Sequence, residues 1–268
     1  GLTAAAVVIP KAMAYATIAG LPLQVGLYTC FVPMLIYAFF GTSRVMSVTT
    51  TTIAILTGAQ LGIMVPDGDP SALITASVTL ALMVGLILAA AAILRLGFVA
   101  NFISTPVLTG FKAGIGIVVI VDQVPKLLGL HFDKGGFVHN LGQILGGLGH
   151  LSWATLAVGV GTIAGLVLCE RWRPRWPAPL IVIGLMIAGA AFLGWESHGV
   201  ELVGAIPTGL PSLTFPDLSL VEAMWPAAAG IALMSFAETA AVSRAFIAEG
   251  DPPLRANTEL FATGVANI

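Results

Sequence analysis

Charged residues are scarce in this sequence, and their scarcity excludes the common classes of soluble protein. Only 9% of the 268 residues are charged, against roughly a quarter in soluble globular domains. The net charge is −2, so there is no excess of basic residues with which to bind nucleic acid. Because 57% of the residues are hydrophobic, a lipid bilayer is the expected environment of the chain.

Cysteine and histidine are also rare. The two cysteines, Cys30 and Cys169, lie far apart in apolar stretches, so neither a disulfide nor a redox pair is expected. The four histidines lie in polar connections without metal-ligand spacing. The sequence also lacks a Ser/His/Asp set and paired catalytic carboxylates. We therefore expect no metal site, no cofactor and no enzymatic activity.

Long uncharged runs are what the sequence has in place of polar surface. A helix needs about 20 apolar residues to cross the hydrocarbon of a bilayer. The runs predict an all-α polytopic protein with eight spans, located as a multi-pass protein in the cell membrane. They cover residues 12–43 (divided into two spans by Gly20-Leu21-Pro22), 45–65, 71–94, 106–125, 151–169, 178–195 and 223–243.

Basic residues concentrate on one side of the predicted spans. Seven of the eleven Lys and Arg residues fall in connections that lie on the same side of the membrane, whereas the opposite connections are mostly acidic. The positive-inside rule places the basic side in the cytoplasm. The seven residues are Arg44, Arg95, Arg171, Arg173, Arg175, Arg244 and Arg255.

The third run begins with four consecutive threonines, Thr49 to Thr52. Such β-branched residues are poor in a helix interior but suit an extended segment that turns into a helix N-terminus. A helix from Thr50 to Met64 would reach only about 20 Å, which predicts a half-helix. The N–H groups and dipole at such a break form an anion site at membrane depth. The alternative is that the threonines cap an ordinary helix near the surface.

Glu238 is the only charged residue of the eighth run. It precedes Arg244 by six residues, which places it roughly 9 Å inside the cytoplasmic boundary. An ionised carboxylate at that depth is costly unless it is paired, hydrated or protonated. The functional hypothesis is a group that couples transport to a proton or cation. The alternative is a structural carboxylate bonded to a neighbouring helix.

Lys11 is a further charge within the first span, directly after Pro10. Its ammonium could attract an anion, or it could neutralise Glu238. Tyr15 follows Lys11 by four residues and therefore shares its helix face. A buried tyrosine at this place is either a packing residue or, if the face lines a cavity, a ligand.

Four motifs resemble those of the sulfate permease family, also called solute carrier 26. IPKAMAYA at 9–16, followed by AGLP at 19–22 and GLY at 26–28, looks like its first-span signature. STPVLTGFKAGIG at 104–116 resembles the span-five signature, and GAIPTGLP at 204–211 resembles its outer loop. Asn257-x-Glu259-Leu260, with Gly264 and Asn267-Ile268, resembles the opening of span nine.

The resemblance implies a fold of fourteen spans in two inverted seven-span repeats, with core and gate subdomains. Residues 1–268 would be a partial transmembrane transport domain that holds spans one to eight and the start of span nine. Spans one to four would belong to the core and five to seven to the gate. Span ten, which would complete the anion site, and the STAS domain usual in the family are expected outside this chain.

The resemblance also assigns residues. Thr50 and Thr51 fall where the third helix of the family offers backbone donors, and Tyr15 where an aromatic lines the pocket. Lys11 stands where many members have glutamine. Glu238 matches an acidic position that joins the cation site of sodium-coupled bicarbonate members, but the hydroxyl one turn on is Val242 here. We therefore predict a substrate site of Lys11, Tyr15, Thr49, Thr50 and Thr51, with Glu238 as the ion-coupling residue.

The predicted function is secondary active anion transport. The leading hypothesis is proton-coupled symport of a small oxyanion or dicarboxylate by an elevator-like movement of core against gate. The partners are then an inorganic or carboxylate anion, a proton rather than sodium, the bilayer and, because the family often forms dimers, a second copy. Alternatives are a sodium-coupled bicarbonate transporter, an anion exchanger, a nucleobase transporter, an anion channel and a non-transporting membrane sensor.

A pair of substitutions tests the backbone-donor site. Thr50→Ala keeps the backbone N–H and should change anion affinity less than about threefold, whereas Thr50→Pro removes the donor and should abolish binding. Calorimetric titration of the purified full-length variants measures both affinities. Equal binding by the two variants would show that this N–H does not contact the anion.

Overall fold

The computed structural model describes residues 2–43, 48–49, 53–102, 105–132, 137–173, 176–202, 204, 209, 213–245 and 255–268. Within these ranges the chain forms helices, turns and connections, and no strand. The predicted all-helical fold is confirmed. Four helical stretches are long and apolar enough to cross a membrane by length and composition: Leu23–Phe40, Pro70–Ile93, Trp153–Trp172 and Leu218–Thr239.

The described residues form ten α-helices, and all but the sixth and the tenth overlap the predicted runs. They are α1 (Leu2–Ile18), α2 (Leu23–Phe40), α3 (Ala54–Met64), α4 (Pro70–Ile93), α5 (Thr105–Leu128), α6 (Phe137–Gly147), α7 (Trp153–Trp172), α8 (Ala178–Leu193), α9 (Val221–Ala245) and α10 (Ala256–Asn267). Short 3₁₀ turns lie at Leu96–Phe102, Leu148–His150, Trp195–His198 and Leu218–Leu220. The first two helices separate at Gly20, whose φ of 73° suits glycine because it has no Cβ.

The chain divides into two compact units. The larger unit is Val8–Ala113 with Pro207–Ile268, and it holds most of α1, all of α2 to α4, the beginning of α5, and α9 and α10. The smaller unit, Gly1–Val7 with Gly114–Ile206, holds the rest of α5 and α6 to α8. The expected core helices α2 to α4 thus lie in the larger unit and α6 to α8 in the smaller one, while α5 is divided between the two. We call the larger unit the core unit.

Apolar side chains of four helices form the interior of the core unit. Its most enclosed members are Leu61 of α3, Leu80 and Leu88 of α4, Met224 of α9 and Leu260 of α10, each at most 2% exposed. Helix α4 contributes buried residues along its whole length and packs against α3, α9 and α10. It is therefore the central element of this unit.

Glycines allow backbones to approach where α4 meets α10. A Cβ atom on Gly264 would lie 2.8 Å from the Ala89 nitrogen and 2.9 Å from the Gly85 carbonyl oxygen. A Cβ atom on Gly85 would in turn lie 2.7 Å from the Gly264 oxygen. Neither position can hold a larger residue unless a backbone moves. In a bilayer, such close packing replaces the hydrophobic force that joins helices in water.

Acidic residues cap the helices at the side opposite the basic connections. Asp69 precedes α4, and its carboxylate accepts hydrogen bonds from the Ser71 hydroxyl and the Ala72 N–H. These bonds, the first above all, hold the pKa of Asp69 below its ordinary value. The hydroxyl and N–H of Ser219 lower the pKa of Asp217 in the same way. Both carboxylates are therefore ionised at neutral pH and suit helix N-termini.

Gly264 offers a test of the α4–α10 packing. Gly264→Ala should lower the melting temperature of the full-length protein in detergent, because overpacking at a site bounded by backbone costs about 1–3 kcal/mol. The matched control is Gly230→Ala in α9, where a Cβ meets no atom within 4 Å. Fluorescence-detected unfolding measures both. If the Gly264→Ala variant has the same melting temperature as the wild type, α4 and α10 do not approach as closely as described.

Candidate functional site

Helix α3 is a half-helix. It has 11 residues, about 16 Å at 1.5 Å per residue, and so covers only part of a hydrocarbon layer of about 30 Å. Val48 and Thr49 before it are not helical. Its first turn begins with bonds from the Leu56 and Thr57 N–H groups to the Ile53 carbonyl. The break ahead of α3 is thus in the segment that the threonine run predicted.

The start of α3 differs from the prediction in one detail. We expected the helix to begin near Thr50, but it begins at Ala54, after a turn at Ile53. Thr49 is half-buried and lies in the non-helical approach. Thr50 and Thr51 lie outside the described residues. Ile53, which directly precedes the helix, is β-branched, in keeping with the poor propensity of such residues for a helix interior.

Lys11 and Tyr15 share one face of α1. The Lys11 Nζ atom lies 5.7 Å from the centre of the Tyr15 ring, within the range of a cation–π interaction. The Lys11 side chain is exposed and the Tyr15 side chain is half-buried. The spacing of four residues therefore places an ammonium and a phenol next to each other.

Glu238 of α9 faces α1. Its side chain is half-buried, and its carboxylate lies near enough to the Tyr15 hydroxyl to interact with it electrostatically. Helix α9 also packs against α3. The Val242 side chain, one turn further along α9, lies outside the described part of the structure. The electrostatic interaction places the Glu238 carboxylate on the side of α9 nearer to Tyr15 of α1, and its role in coupling stays a prediction.

Helices α1 and α3 approach closely at a glycine. A Cβ atom on Gly58 of α3 would lie 2.7 Å from the Ile18 carbonyl oxygen and 2.9 Å from the Ala19 Cα. The C-terminal end of α1 therefore lies directly against α3. Helix α3 therefore contacts both α1, at Gly58, and α9; the predicted site residues lie on α1, on α9 and in the segment ahead of α3.

The three helices carry different chemistry. Helix α1 contributes an ammonium and a phenol, α9 contributes a carboxylate, and the N-terminus of α3 contributes the positive end of a helix dipole. The ammonium and the positive helix end suit an anion, and the carboxylate can accept a proton. Within the described residues, no group of three or more His, Cys, Asp or Glu side chains is placed to hold a metal ion.

The sequence did not predict one buried carboxylate. Glu259, in the first turn of α10, is 1% exposed and accepts hydrogen bonds from Tyr37 and from the chain that follows α2. The sequence contained a signal, since an acidic residue stands at the start of an apolar helix and within a recognised motif. Its partners are more than 200 residues away in sequence, so local patterns could not find them.

Comparison with known proteins places the whole chain in one group. The model of the sulfate permease family matches residues 1–268. A probable sulfate transporter of Mycobacterium tuberculosis is 37% identical over 100% of this chain and 48% of its own length. The resemblance drawn from the motifs is confirmed.

Solved structures show the same fold. The structure of SLC26A9 superposes with a TM-score of 0.92 at 25% identity, over 100% of this chain and 46% of that one. The transmembrane domain of the cyanobacterial bicarbonate transporter BicA superposes with a TM-score of 0.86 at 24% identity, over 100% of this chain and 69% of that one. The chain therefore has the fold of these membrane-protein structures.

Lys11 gives a direct test of the charge in this site. Lys11→Gln should weaken anion binding about threefold to tenfold, since a nearby unit charge at partly screened distance contributes on the order of 1 kcal/mol. The control is Lys126→Gln, because Lys126 is exposed in the last turn of α5. This variant should bind the anion as tightly as the wild type does. Calorimetry on the full-length proteins measures both. Unchanged affinity in Lys11→Gln would remove Lys11 from the site.

Proposed function

Because the chain belongs to the sulfate permease family, we propose that the full-length protein is a secondary active transporter of a small anion. The chain spans about half the length of the curated relatives it matches, so the activity is proposed for the whole protein. The observation that carries the proposal is that Lys11 and Tyr15 share one face of α1 within the core unit, which also holds Glu238 and the half-helix α3. Membership of a permease family favours transport over catalysis as the function of the protein.

The proposed substrate is a small oxyanion, with sulfate as the first candidate. Backbone N–H groups at a helix N-terminus recognise negative charge and oxygen acceptors and use few side chains. Lys11 adds a positive charge that a neutral solute such as a nucleobase would not need. The similar mycobacterial protein is named a probable sulfate transporter, which supports sulfate. A dicarboxylate is the second candidate on the same chemistry.

Proton coupling is proposed to act through Glu238. An ionised carboxylate repels an anion bound nearby, by about 1 kcal/mol at 4 Å in water and about 4 kcal/mol at an effective dielectric constant of 20. Protonation removes that repulsion, so a proton and an anion would bind together and leave together. Sodium coupling is less well supported, because the sequence has Val242 in place of the hydroxyl that the sodium-coupled members carry.

An elevator-like movement fits the distribution of the site over the chain. All the described candidate residues, Lys11, Tyr15, Thr49 and Glu238, belong to the core unit. An elevator requires the substrate to be held by one unit that moves past the other, and the location of these residues in one unit supports the proposal. The homodimer expected from the family stays a prediction.

The coupling hypothesis predicts a specific defect in Glu238→Gln. The amide mimics the protonated carboxyl group, so anion binding should persist while uptake driven by a pH gradient falls by at least about tenfold. Glu222→Gln is the matched control, because Glu222 is exposed in the first turn of the same helix. It should transport like the wild type.

The measurement is uptake of radiolabelled sulfate into proteoliposomes of the full-length protein under a proton gradient, a sodium gradient or neither. Wild-type uptake should follow the proton gradient alone. If Glu238→Gln still accumulates sulfate when protons supply the only gradient, Glu238 is not the coupling group. If only a sodium gradient drives sulfate uptake by the wild type, the proposal of proton coupling is wrong, although the proposal of anion transport stands.

A further inference from the structure

The C-terminal end of α7 carries arginine and tryptophan side chains next to each other. Helix α7 ends at Trp172, and Arg171 lies in its last turn. Arg173 and Trp176 follow in the connection to α8. We call these four residues, which all belong to the smaller unit, the Arg/Trp cluster. All four are exposed, Trp172 at 75% and Trp176 at 57%, so two indoles and two guanidinium groups lie on the surface together.

A hydrogen-bonded turn orders part of the Arg/Trp cluster. The Arg173 N–H donates to the Cys169 carbonyl at 2.9 Å and closes α7. The Trp176 N–H then donates to the Arg173 carbonyl at 2.9 Å. The Arg173 Cζ atom lies 5.9 Å from the centre of the Trp176 ring, which is within the range of a cation–π interaction. One guanidinium and one indole are therefore held beside each other.

The positive charge of the Arg/Trp cluster is not neutralised by a neighbour. Among the residues that the structure describes, neither Arg171 nor Arg173 forms an ion pair with a carboxylate. Glu170 directly precedes Arg171, and adjacent residues of a helix do not face each other. The sequence places a third arginine, Arg175, in the same connection. Three arginines and one glutamate leave a net positive charge at this end of α7.

The length of α7 places the Arg/Trp cluster at the level of the lipid headgroups. The 20 residues of the helix extend about 30 Å at 1.5 Å per residue, which equals the thickness of the hydrocarbon layer. Trp153 begins the helix and Trp172 ends it, and both indoles are about three-quarters exposed. Tryptophan is enriched at the two membrane–water interfaces, and the positive-inside rule places the arginine end of α7 in the cytoplasm.

We propose that the Arg/Trp cluster binds the headgroup of an anionic phospholipid in the cytoplasmic leaflet. The planar guanidinium groups of Arg171 and Arg173 match the oxygen atoms of a phosphate, with which they can form paired hydrogen bonds. The indoles of Trp172 and Trp176 suit the boundary between headgroups and acyl chains, because each has an apolar ring and a polar N–H. A negatively charged lipid is preferred to a zwitterionic one, by about fivefold for each arginine near the surface.

The structural alternative is that the arginines only stabilise the end of α7. A basic side chain in the last turn interacts favourably with the negative end of the helix dipole, and Arg171 lies in that turn. This role requires positive charge but gives no function to the exposed indole of Trp172. Lipid binding instead predicts that arginine and tryptophan variants share one defect. It does not depend on the proposed transport function.

Binding of phosphatidylglycerol to the purified full-length protein in neutral detergent tests the proposal. The Arg171→Gln/Arg173→Gln variant should bind this lipid at least about tenfold more weakly than the wild type, because two charges are lost. Trp176→Ala should weaken binding about twofold to fivefold, because Arg173 loses the ring beside it. The matched control is Arg255→Gln, since Arg255 is exposed, falls on the same predicted side of the membrane and is distant from any tryptophan in sequence. Native mass spectrometry measures the bound lipid.

The control variant should bind phosphatidylglycerol as the wild type does, and the wild type should bind phosphatidylcholine more weakly. Equal binding of the two lipids by the wild type would overturn the proposal. So would unchanged phosphatidylglycerol binding by a folded Arg171→Gln/Arg173→Gln protein, which would leave the arginines with a structural role only. Inorganic phosphate at the concentration of the lipid should not displace it. Complete displacement would show a site for free phosphate in place of a lipid site.

A measurement on the wild type serves if the arginine variant does not fold. Brominated lipids quench the fluorescence of an indole that they contact. In nanodiscs of phosphatidylcholine, a small fraction of brominated phosphatidylglycerol should quench the protein more strongly than the same fraction of brominated phosphatidylcholine. The Trp172→Phe/Trp176→Phe variant gives the signal of the remaining tryptophans and should lose this difference. Equal quenching of the wild type by the two brominated lipids would overturn the proposal.

Discussion

Inside a bilayer every backbone N–H and C=O must find a partner within the protein, and this requirement governs the structure. Where the chain leaves a helix, another group must replace the lost bonds. After α2 that group is the Glu259 carboxylate. The next helix, α3, is too short to span the hydrocarbon, and we place the anion ahead of it.

Close backbone contact holds the surrounding helices together. The backbone of Ala12 in α1 leaves no room for a Cβ atom on Gly26 of α2, and the backbone of Ile18 leaves no room for one on Gly58 of α3. Gly85 of α4 and Gly264 of α10 face each other in the same way. Buried leucines and methionine fill the interior between these points. Because lipid is as apolar as leucine, helix contacts in a membrane depend on fit. Rigid contacts of this kind keep α1, α3 and α9 in the arrangement that the candidate site needs.

Much of this architecture could be predicted from local pattern. Uncharged runs located the spans, Gly20 marked the first break, and the spacing of Lys11 and Tyr15 placed them on one face, because each signal lies within a few residues. The start of α3 was predicted too early, since propensity fixes a helix boundary only within a few positions. The Glu259 contacts were missed because they join distant parts of the chain, and neither hydropathy nor spacing encodes such a pairing.

The Gly97 N–H, in the 3₁₀ turn after α4, donates a hydrogen bond to the Asn257 Oδ1 atom of α10. This contact has a consequence for the synthesis of the protein in the cell. Its two partners are 160 residues apart, so at roughly 5–20 residues per second the ribosome delivers the second about 8 to 32 s after the first. During that interval α2 and α4 are in the membrane without the helix that completes their packing. Nascent chains arrested before residue 256 should therefore expose Gly85 and Tyr37 to lipid or to an insertase, and quality control would act on this intermediate.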